Sequence, residues 1–173
     1  MRQAFPEHVV IHYLAMDDRS ELREKADDGS LDIRECEVKL WRYNRFLYEL
    51  VGRHWAWEDK LKWTDQQWKT YAEAAELSTH VAYVRGTPAG YFELQEQADR
   101  VYELAYFGLV QRFIGRGLGG ILLSRALATA WDLGASRIWL HTCSLDHPHA
   151  LNNYLARGMK LTRSETVPAV QNP

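Results

Sequence analysis

The chain has 173 residues, 46% of them hydrophobic, and a formal net charge of −2 at pH 7. That length and apolar content suit one domain with a sizeable core, over residues 1–173. The charge gives no electrostatic case for a nucleic-acid or membrane-surface partner. The apolar run Val9 to Met16 is too short for a membrane span, and Cys36 and Cys143 fit free thiols, so we expect a cytoplasmic protein.

The N-terminal part of the sequence alternates strand-like and helical patterns. In chain order we predict a strand at His8 to Asp17, a short helix or loop at Ser20 to Asp28, a strand at Leu31 to Val38, a helix at Leu40 to Val51, and a helix from Thr64 to about Ala75. The last of these begins with the spacing Thr64-x-x-Gln67, which is the signature of a capping box.

The C-terminal part predicts a hairpin followed by a βαβ unit. In order come strands at His80 to Arg85 and Ala89 to Glu96, a strand at Arg100 to Val110, a helix at Gly115 to Leu133, a strand at Ser136 to Ser144, a helix at Pro148 to Arg157, and a last strand from Met159. Early hairpins and a late βαβ unit predict an α/β (α+β) fold with a mixed, mostly antiparallel sheet and helices on both faces.

The segment from Glu103 to Leu123 is a strand-like run that breaks into glycines and resumes as a helix. The glycines are Gly115, Gly117, Gly119 and Gly120. They let the backbone approach a ligand closely, and a helix that begins there directs unpaired N–H groups and its positive dipole end at the turn. The pattern predicts a site for a phosphate-bearing cofactor.

The pattern Arg112-x-x-Gly115-x-Gly117 resembles the pyrophosphate loop of the GNAT superfamily of acyl-CoA-dependent N-acetyltransferases. Further along, Ala150-Leu-Asn-Asn-Tyr154-Leu-Ala-Arg-Gly158-Met159 resembles that superfamily's motif in the last helix. The resemblance covers residues 78–166, the cofactor half, and leaves residues 8–77 as the acceptor-side half. It implies a sheet that splays apart between the strand before the glycine loop and the strand after its helix, with acetyl-CoA bound in the opening.

The resemblance also implies a reaction, in which acetyl passes from acetyl-CoA to a primary amine by direct attack in a ternary complex, leaving CoA. The acceptor is a small molecule or a peptide. Tyr154 would protonate the departing thiolate, and Glu103 would draw a proton from the amine, directly or through water. From the residues alone, Tyr154 also fits a tyrosine packed between helix and sheet, and Glu103 a solvated carboxylate at a strand edge.

Eleven positions are the predicted cofactor-binding residues: Leu109, Val110, Arg112, Gly115, Arg116, Gly117, Leu118, Gly119, Gly120, His147 and Asn153. A backbone N–H near Leu109 or Val110, where strands of the superfamily bulge, is the expected donor to the thioester oxygen. His147 stands where many members have an asparagine, and Asn153 stands where an aliphatic residue is usual.

Other classes of protein share parts of these patterns. Gly115-x-Gly117-x-x-Gly120 is also the dinucleotide fingerprint of oxidoreductases, but the strand Ile138 to Thr142 has no acidic residue to hold a ribose. A P-loop would need Lys-Ser/Thr after the glycines. A non-catalytic acyl-CoA-binding domain stays open. We expect no metal at Cys143, His147 and His149, because no second ligand pair has matching spacing.

Four tryptophans crowd the segment between the two N-terminal helices: Trp55, Trp57, Trp63 and Trp68. They fit either core residues or an aromatic cage for a cationic amine, in which Glu58 and Asp59 would favour an ammonium group. Exposed aromatic residues in this half, and the superfamily's pairing through sheet edges, suggest a homodimer.

Overall fold

A computed structural model of the chain describes residues 6–55 and 57–169. The strands in this part are β1 (His8–Met16), β2 (Asp32–Glu35), β3 (Leu77–Val84), β4 (Thr87–Glu96), β5 (Val101–Leu109), β6 (Arg137–Cys143) and β7 (Lys160–Pro168). The α-helices are α1 (Trp41–Gly52), α2 (Asp65–Ala72), α3 (Leu118–Asp132) and α4 (Ala150–Ala156). Within the described ranges, no helix is long and apolar enough to cross a membrane.

Element types were predicted more accurately than their ends. The capping box of α2 is present, with the Gln67 N–H donating to Thr64 Oγ1 at 3.3 Å and the Thr64 N–H donating to Gln67 Oε1 at 2.9 Å. The predicted start of α3 at Gly115 was wrong, because Gly115 and Gly117 have φ of +80° and +76°, which a right-handed helix cannot include. The second strand is shorter than predicted and ends at Glu35.

The strands form one sheet in the order β2-β3-β4-β5-β6-β1-β7. All neighbours are antiparallel except β5 and β6, so the predicted mixed and mostly antiparallel sheet is confirmed. The first strand of the chain does not lie at an edge. It lies between β6 and β7, where it pairs with both.

Helices cover both faces of this sheet, as predicted. On one face, α1 packs Leu47 and Val51 against Val81 and Tyr91 of the central strands. On the other face, the apolar side of α3 packs in one cluster with the neighbouring residues of the same strands, Ala82 and Phe92 among them. Successive strand residues point to opposite faces, so one pair of strands serves both layers.

The sheet opens between β5 and β6, which confirms the predicted splay. Their parallel pairing runs only from Val101 opposite Arg137 to Glu103 opposite Trp139. Beyond that point β5 stays paired with β4 as far as Leu109, and β6 stays paired with β1 as far as Cys143. The two strands therefore diverge after Glu103 and leave an opening between them.

A β-bulge lies where this opening begins. Glu93 of β4 is opposite Tyr106, but Leu94 is opposite Leu104, so Ala105 is an extra residue in β5. The extra residue reverses the alternation of side chains, which places Glu103 and Tyr106 on the same face of the strand. The bulge expected near Leu109 and Val110 is thus four residues earlier in the chain.

Candidate active site

The opening between β5 and β6 contains a cavity of about 1070 Å³. Its walls come from β5, the glycine loop, β6, α4 and the segment between α1 and α2. Ligand pockets in proteins are usually about 300–1,000 Å³, so this cavity has room for a cofactor together with a second substrate. One end is formed by the glycines, and the other by polar and aromatic side chains.

The glycine end is a backbone cradle at the start of α3. Gly117 is the N-cap residue of that helix and supplies no side-chain cap. The first N–H groups of α3 therefore remain available to an anion in the cavity, next to the positive end of the helix dipole. A Cβ at Gly120 would lie 2.8 Å from Arg157 Nη1 and 2.9 Å from Lys25 Cδ, so glycine lets both cationic side chains lie close to this turn.

Two cations that the sequence reasoning missed lie beside this cradle. Lys25 Nζ donates to the Gly117 carbonyl at 2.7 Å, and the Lys25 backbone N–H donates to Ser124 Oγ at 2.8 Å. Arg157 follows the end of α4, and its Nε is buried without a hydrogen-bond partner among the residues that the structure describes. Lys25 is 92 positions from Gly117, so no local pattern could have identified it.

Most of the predicted cofactor-binding residues line the cavity: Leu109, Gly115, Gly117, Gly119, Gly120, His147 and Asn153. Val110, Arg112, Arg116 and Leu118 do not line it. The Val110 N–H donates to the Ala89 carbonyl at 2.8 Å, so of the two predicted backbone donors only the Leu109 N–H remains a candidate. The Arg116 guanidinium packs over the ring of Phe113, and the Leu118 side chain is buried in the core.

His147 contacts the segment between α1 and α2 as well as the cavity. Its ring lies 5.0 Å from that of Trp55, edge to face, and its Nδ1 accepts the His149 backbone N–H at 3.1 Å. Burial and the neighbouring His149 lower the pKa of His147. The imidazole is therefore neutral at pH 7 with its proton on Nε2, which makes that nitrogen a hydrogen-bond donor. No group of three or more potential ligands within residues 6–55 and 57–169 is placed to hold a metal ion.

Tyr154 lies on α4 with its side chain almost fully buried and facing the cavity. Its ring packs edge to face on Phe107 of β5, with the centroids 5.9 Å apart. Burial, and then the negative charge of Asp146, raise the pKa of the Tyr154 hydroxyl well above its ordinary value. The phenol therefore holds its proton throughout the physiological range and can donate a hydrogen bond into the cavity.

Glu103 lies at the point where β5 and β6 part, and its side chain is mostly buried. Burial raises the pKa of its carboxyl above the ordinary value, and the charge of Lys60 partly opposes that rise. His141 of β6 faces Glu103 across the opening, with Nδ1 4.0 Å from Glu103 Oε1. Both side chains line the cavity.

An aromatic cage is present, but Trp63 is the one predicted tryptophan that contributes to it, and it holds the chain's own Lys60 instead of a substrate amine. The Lys60 ammonium lies 4.4 Å from the ring centroid of Trp63, 4.9 Å from that of Tyr71 and 4.8 Å from that of Tyr106. It donates to Asp59 Oδ2 at 3.1 Å and to the Tyr106 hydroxyl at 2.8 Å. Asp59 therefore pairs with a lysine of the chain itself, and not with the acceptor ammonium for which it was predicted.

The four tryptophans divide between core and cavity. Trp68 is fully buried in the core, and Trp63 covers Lys60. Trp55 and Trp57 line the cavity, and Trp57 also packs against the buried cluster under α1. The core interpretation holds for Trp68, and none of the four forms an open cage for a substrate amine in the part of the chain that the structure describes.

Comparison with known proteins identifies a family and a shared fold. Residues 38–159 match the model of the acetyltransferase (GNAT) family. A GCN5-related N-acetyltransferase from Sphaerobacter thermophilus matches 92% of this chain and 50% of its own length, with TM-score 0.71 and 17% identity. An aminoglycoside acetyltransferase from an uncultured soil metagenomic sample, solved with sisomicin, matches 75% of this chain and 88% of its own length, with TM-score 0.61 and 12% identity.

A GNAT-family acetyltransferase from Novosphingobium aromaticivorans matches 92% of this chain and 62% of its own length, with TM-score 0.62 and 17% identity. The chain spans 50–62% of the length of the first structures that it matches. No curated protein matches it. Since the family match covers well over half of the sequence, the chain belongs to the GNAT family of acetyltransferases.

Proposed function

We propose that the protein transfers acetyl from acetyl-CoA to a primary amine, by direct attack in a ternary complex. The observation that carries this proposal is that one cavity unites a backbone anion cradle, a buried tyrosine hydroxyl and a carboxylate. If these three elements lay in separate sites, each could bind a ligand, but they could not act together on one reaction. Together they supply what amide formation from a thioester requires.

The cofactor end of the cavity suits the pyrophosphate of acetyl-CoA. The free N–H groups at the start of α3 would bind it, and Lys25 and Arg157 add positive charge beside the same turn. Arg112 and Arg116 stay in the proposal as outer charges that act without lining the cavity. Acetyl-CoA, when bound, supplies the acetyl group as a thioester.

Each of the two catalytic candidates has one proton to move. Glu103 draws a proton away from the acceptor ammonium, directly or through water, so that the amine can attack. Tyr154 donates its hydroxyl proton in a hydrogen bond to the sulfur as the thiolate leaves. Because its pKa is raised, the tyrosine is protonated when the reaction begins. The Leu109 N–H is the proposed donor to the carbonyl oxygen.

The acceptor is a primary amine of a small molecule or a peptide. Since Lys60 fills the aromatic cage, the cage is not an open subsite for the acceptor's ammonium group. Glu103 is then the carboxylate of the cavity lining that we propose to attract the amine. The match to a structure with bound sisomicin adds aminoglycosides to the amines worth testing.

The test combines binding with turnover. Thermal unfolding is measured with acetyl-CoA, CoA, NAD and NADP, and thiol release is then measured over a panel of spermidine, tyramine, lysine, sisomicin and a peptide with a free N-terminus. We expect stabilisation by acetyl-CoA and CoA, and thiol release with at least one amine. Stabilisation by NAD would favour the oxidoreductase, and CoA binding without turnover would favour a non-catalytic acyl-CoA-binding domain.

We also propose that the protein is cytoplasmic and forms a homodimer through a sheet edge. The edge strands of the described sheet are β2 and β7, whose outer backbone groups are open to pairing. Light scattering at high protein concentration would show a mass of twice the monomer. A monomer mass under those conditions would contradict the dimer.

A further inference from the structure

Glu103 and His141 face each other across the opening of the sheet. Glu103 is the last residue of β5 that pairs with β6, and His141 lies two positions beyond its partner Trp139. Glu103 Oε1 and His141 Nδ1 are 4.0 Å apart. That distance is too long for a hydrogen bond, but catalytic contacts are often loose before substrates bind and tighten afterwards.

The orientation of Glu103 is held by a chain of hydrogen bonds. Gln97 Nε2 donates to Glu103 Oε2 at 3.0 Å, and Gln97 Oε1 accepts the Trp139 indole N–H at 3.1 Å. An indole nitrogen can only donate, which fixes the oxygen of the Gln97 amide towards Trp139 and its nitrogen towards Glu103. One carboxylate oxygen of Glu103 is thus held by Gln97, and the other faces His141.

His141 is the more accessible member of this pair. Its side chain is 37% exposed, whereas that of Glu103 is 16% exposed, so more of the imidazole is open to contact with a substrate. Tyr13 of β1 packs against the imidazole with ring centroids 6.0 Å apart, and Trp139 packs along the strand at 6.3 Å. The ring is therefore supported on β1 and β6 while it borders the cavity.

The charges around His141 suit a base that works from the neutral state. Burial lowers the pKa of His141, with Lys60 acting in the same direction and Asp146 and Asp59 opposing it. The imidazole is therefore neutral at pH 7 and can accept a proton. Protonation of His141 beside ionised Glu103 makes an ion pair, whereas protonation of Glu103 itself would leave the pair neutral and forgo that attraction.

We propose that His141 is the group through which Glu103 acts, and that it is the base that touches the acceptor amine. This rests on the proposed function. His141 takes one proton from the ammonium, Glu103 stabilises the imidazolium, and the proton then passes to solvent. The amine nitrogen bonds to the acetyl carbon, the C–S bond breaks with its electron pair on sulfur, and the second amine proton ends on that sulfur through Tyr154.

The first test does not depend on knowing the acceptor. The histidine rings are titrated by NMR in the CoA-bound protein, in wild type and in Glu103→Gln. Loss of the carboxylate should lower the pKa of His141. The signal of His12, whose ring bonds to Ser164 on β7, serves as an internal reference in the same spectra. An unchanged His141 titration in Glu103→Gln would overturn the pairing.

The second test uses the amine with the highest thiol release in the panel above. His141→Gln should reduce kcat by roughly 10²–10⁴, the usual effect of a positioned base, and should remove the acid limb of the pH profile. Glu103→Gln should keep that limb but move it to lower pH. The matched control His12→Gln should leave both unchanged.

The opposite pattern, with the limb kept in His141→Gln and lost in Glu103→Gln, would show that Glu103 is itself the base and would overturn the proposal. A wild-type protein that binds no acetyl-CoA and acetylates no amine would count against the proposed function instead. In that case the same NMR titration, done on the protein without CoA, still decides whether the two residues form a pair.

Discussion

The two ends of the cavity are built in different ways. The cofactor end is mostly backbone, from one continuous segment around Gly115 to Gly120, with a helix that begins beside it. The acceptor end is mostly side chains, brought together from β5, β6 and the segment between α1 and α2: Trp57, Asp59, Lys60, Glu103, Tyr106 and His141.

This difference determines how substitutions affect each end of the cavity. A backbone cradle presents N–H groups whatever the side chains are, so it suits the phosphate group common to every acyl-CoA. An end built from side chains can be altered one residue at a time. The specificity for the acceptor can therefore change while the backbone cradle keeps its structure. We expect substitutions at the cofactor end to affect binding and those at the reacting centre to affect turnover.

The largest effect is expected at Tyr154, where the two ends meet. Tyr154→Phe keeps the ring that packs on Phe107 and deletes the hydroxyl, so folding and acyl-CoA binding should change little. Turnover should fall by roughly 10²–10⁴, the usual effect of a positioned acid, and the loss should be in kcat rather than KM. Steady-state thiol release measures both constants.

Tyr91→Phe is the matched control for this substitution. Tyr91 is also buried, belongs to the core cluster under α1, and has a hydroxyl without a partner within the described part of the chain. Its turnover should equal that of the wild type. If Tyr154→Phe also kept full turnover, Tyr154 would be a packing residue and not the acid.

The next effect is expected in the cradle, where Gly117→Asp places a carboxylate against the bound phosphates. The new side chain would also approach Lys25 Nζ, which lies 3.0 Å from the Cβ position, and neutralise it. Losing charge-assisted bonds worth about 1.5–3 kcal/mol should weaken CoA binding by roughly ten- to hundredfold. Calorimetric titration with CoA measures this change.

Gly86→Asp provides the control, because Gly86 has a similar φ of +80° and open space around it, away from the cavity. It introduces comparable backbone strain without a charge near the cofactor. Equal CoA affinity in the two variants would mean that the cradle is not the pyrophosphate site.

A substitution at the acceptor end is expected to have a smaller effect, and that effect is on the free energy of unfolding. Asp59→Asn leaves the Lys60 ammonium in its aromatic cage without a counterion. Breaking a fully buried pair costs about 3–5 kcal/mol, but the Asp59 side chain is 35% exposed, so we expect about 1–3 kcal/mol. Urea unfolding measures it, and Asp32→Asn, from the exposed pair with Arg34, should cost under about 0.5 kcal/mol.

The Asp59 contribution should also depend on pH. Burial alone would raise the pKa of Asp59, but the hydrogen bond from Tyr48 and the charge of Lys60 outweigh it and lower the pKa. A lowered folded pKa means that the stabilisation is complete above the unfolded value, about 3.9, and is lost as the pH falls through the folded value. The stability gap between wild type and Asp59→Asn should therefore narrow as the pH falls through the folded pKa of Asp59, and a gap that did not narrow there would contradict the assignment.

The smallest effect is expected at the start of α2, away from both ends of the cavity. Thr64→Ala removes the hydroxyl that accepts the Gln67 N–H and should cost about 1 kcal/mol of unfolding free energy. Thr70→Ala, on the exposed surface of the same helix, should cost almost nothing. A similar cost at both positions would mean that the capping box contributes little.

The sequence alone determined the features that depend on neighbours along the chain. The order of strands and helices, the capping box at Thr64 and the glycine break before α3 all follow from local periodicity, cap chemistry and backbone freedom. The motif around Tyr154 could be recognised for the same reason, since its residues share one helix. These patterns were sufficient to predict the mixed sheet, and the resemblance of the motifs to the GNAT superfamily implied the opening between β5 and β6.

Only the tertiary structure decided the features that join distant segments. The place of β1 between β6 and β7, the approach of Lys25 to Gly117 and the pairing of His141 with Glu103 each depend on contacts across many residues. The bulge at Ala105 leaves no local signal, because register is set by the partner strand. The occupation of the aromatic cage by Lys60 also depends on tertiary packing, because the fold decides which side chain lies within an aromatic cluster.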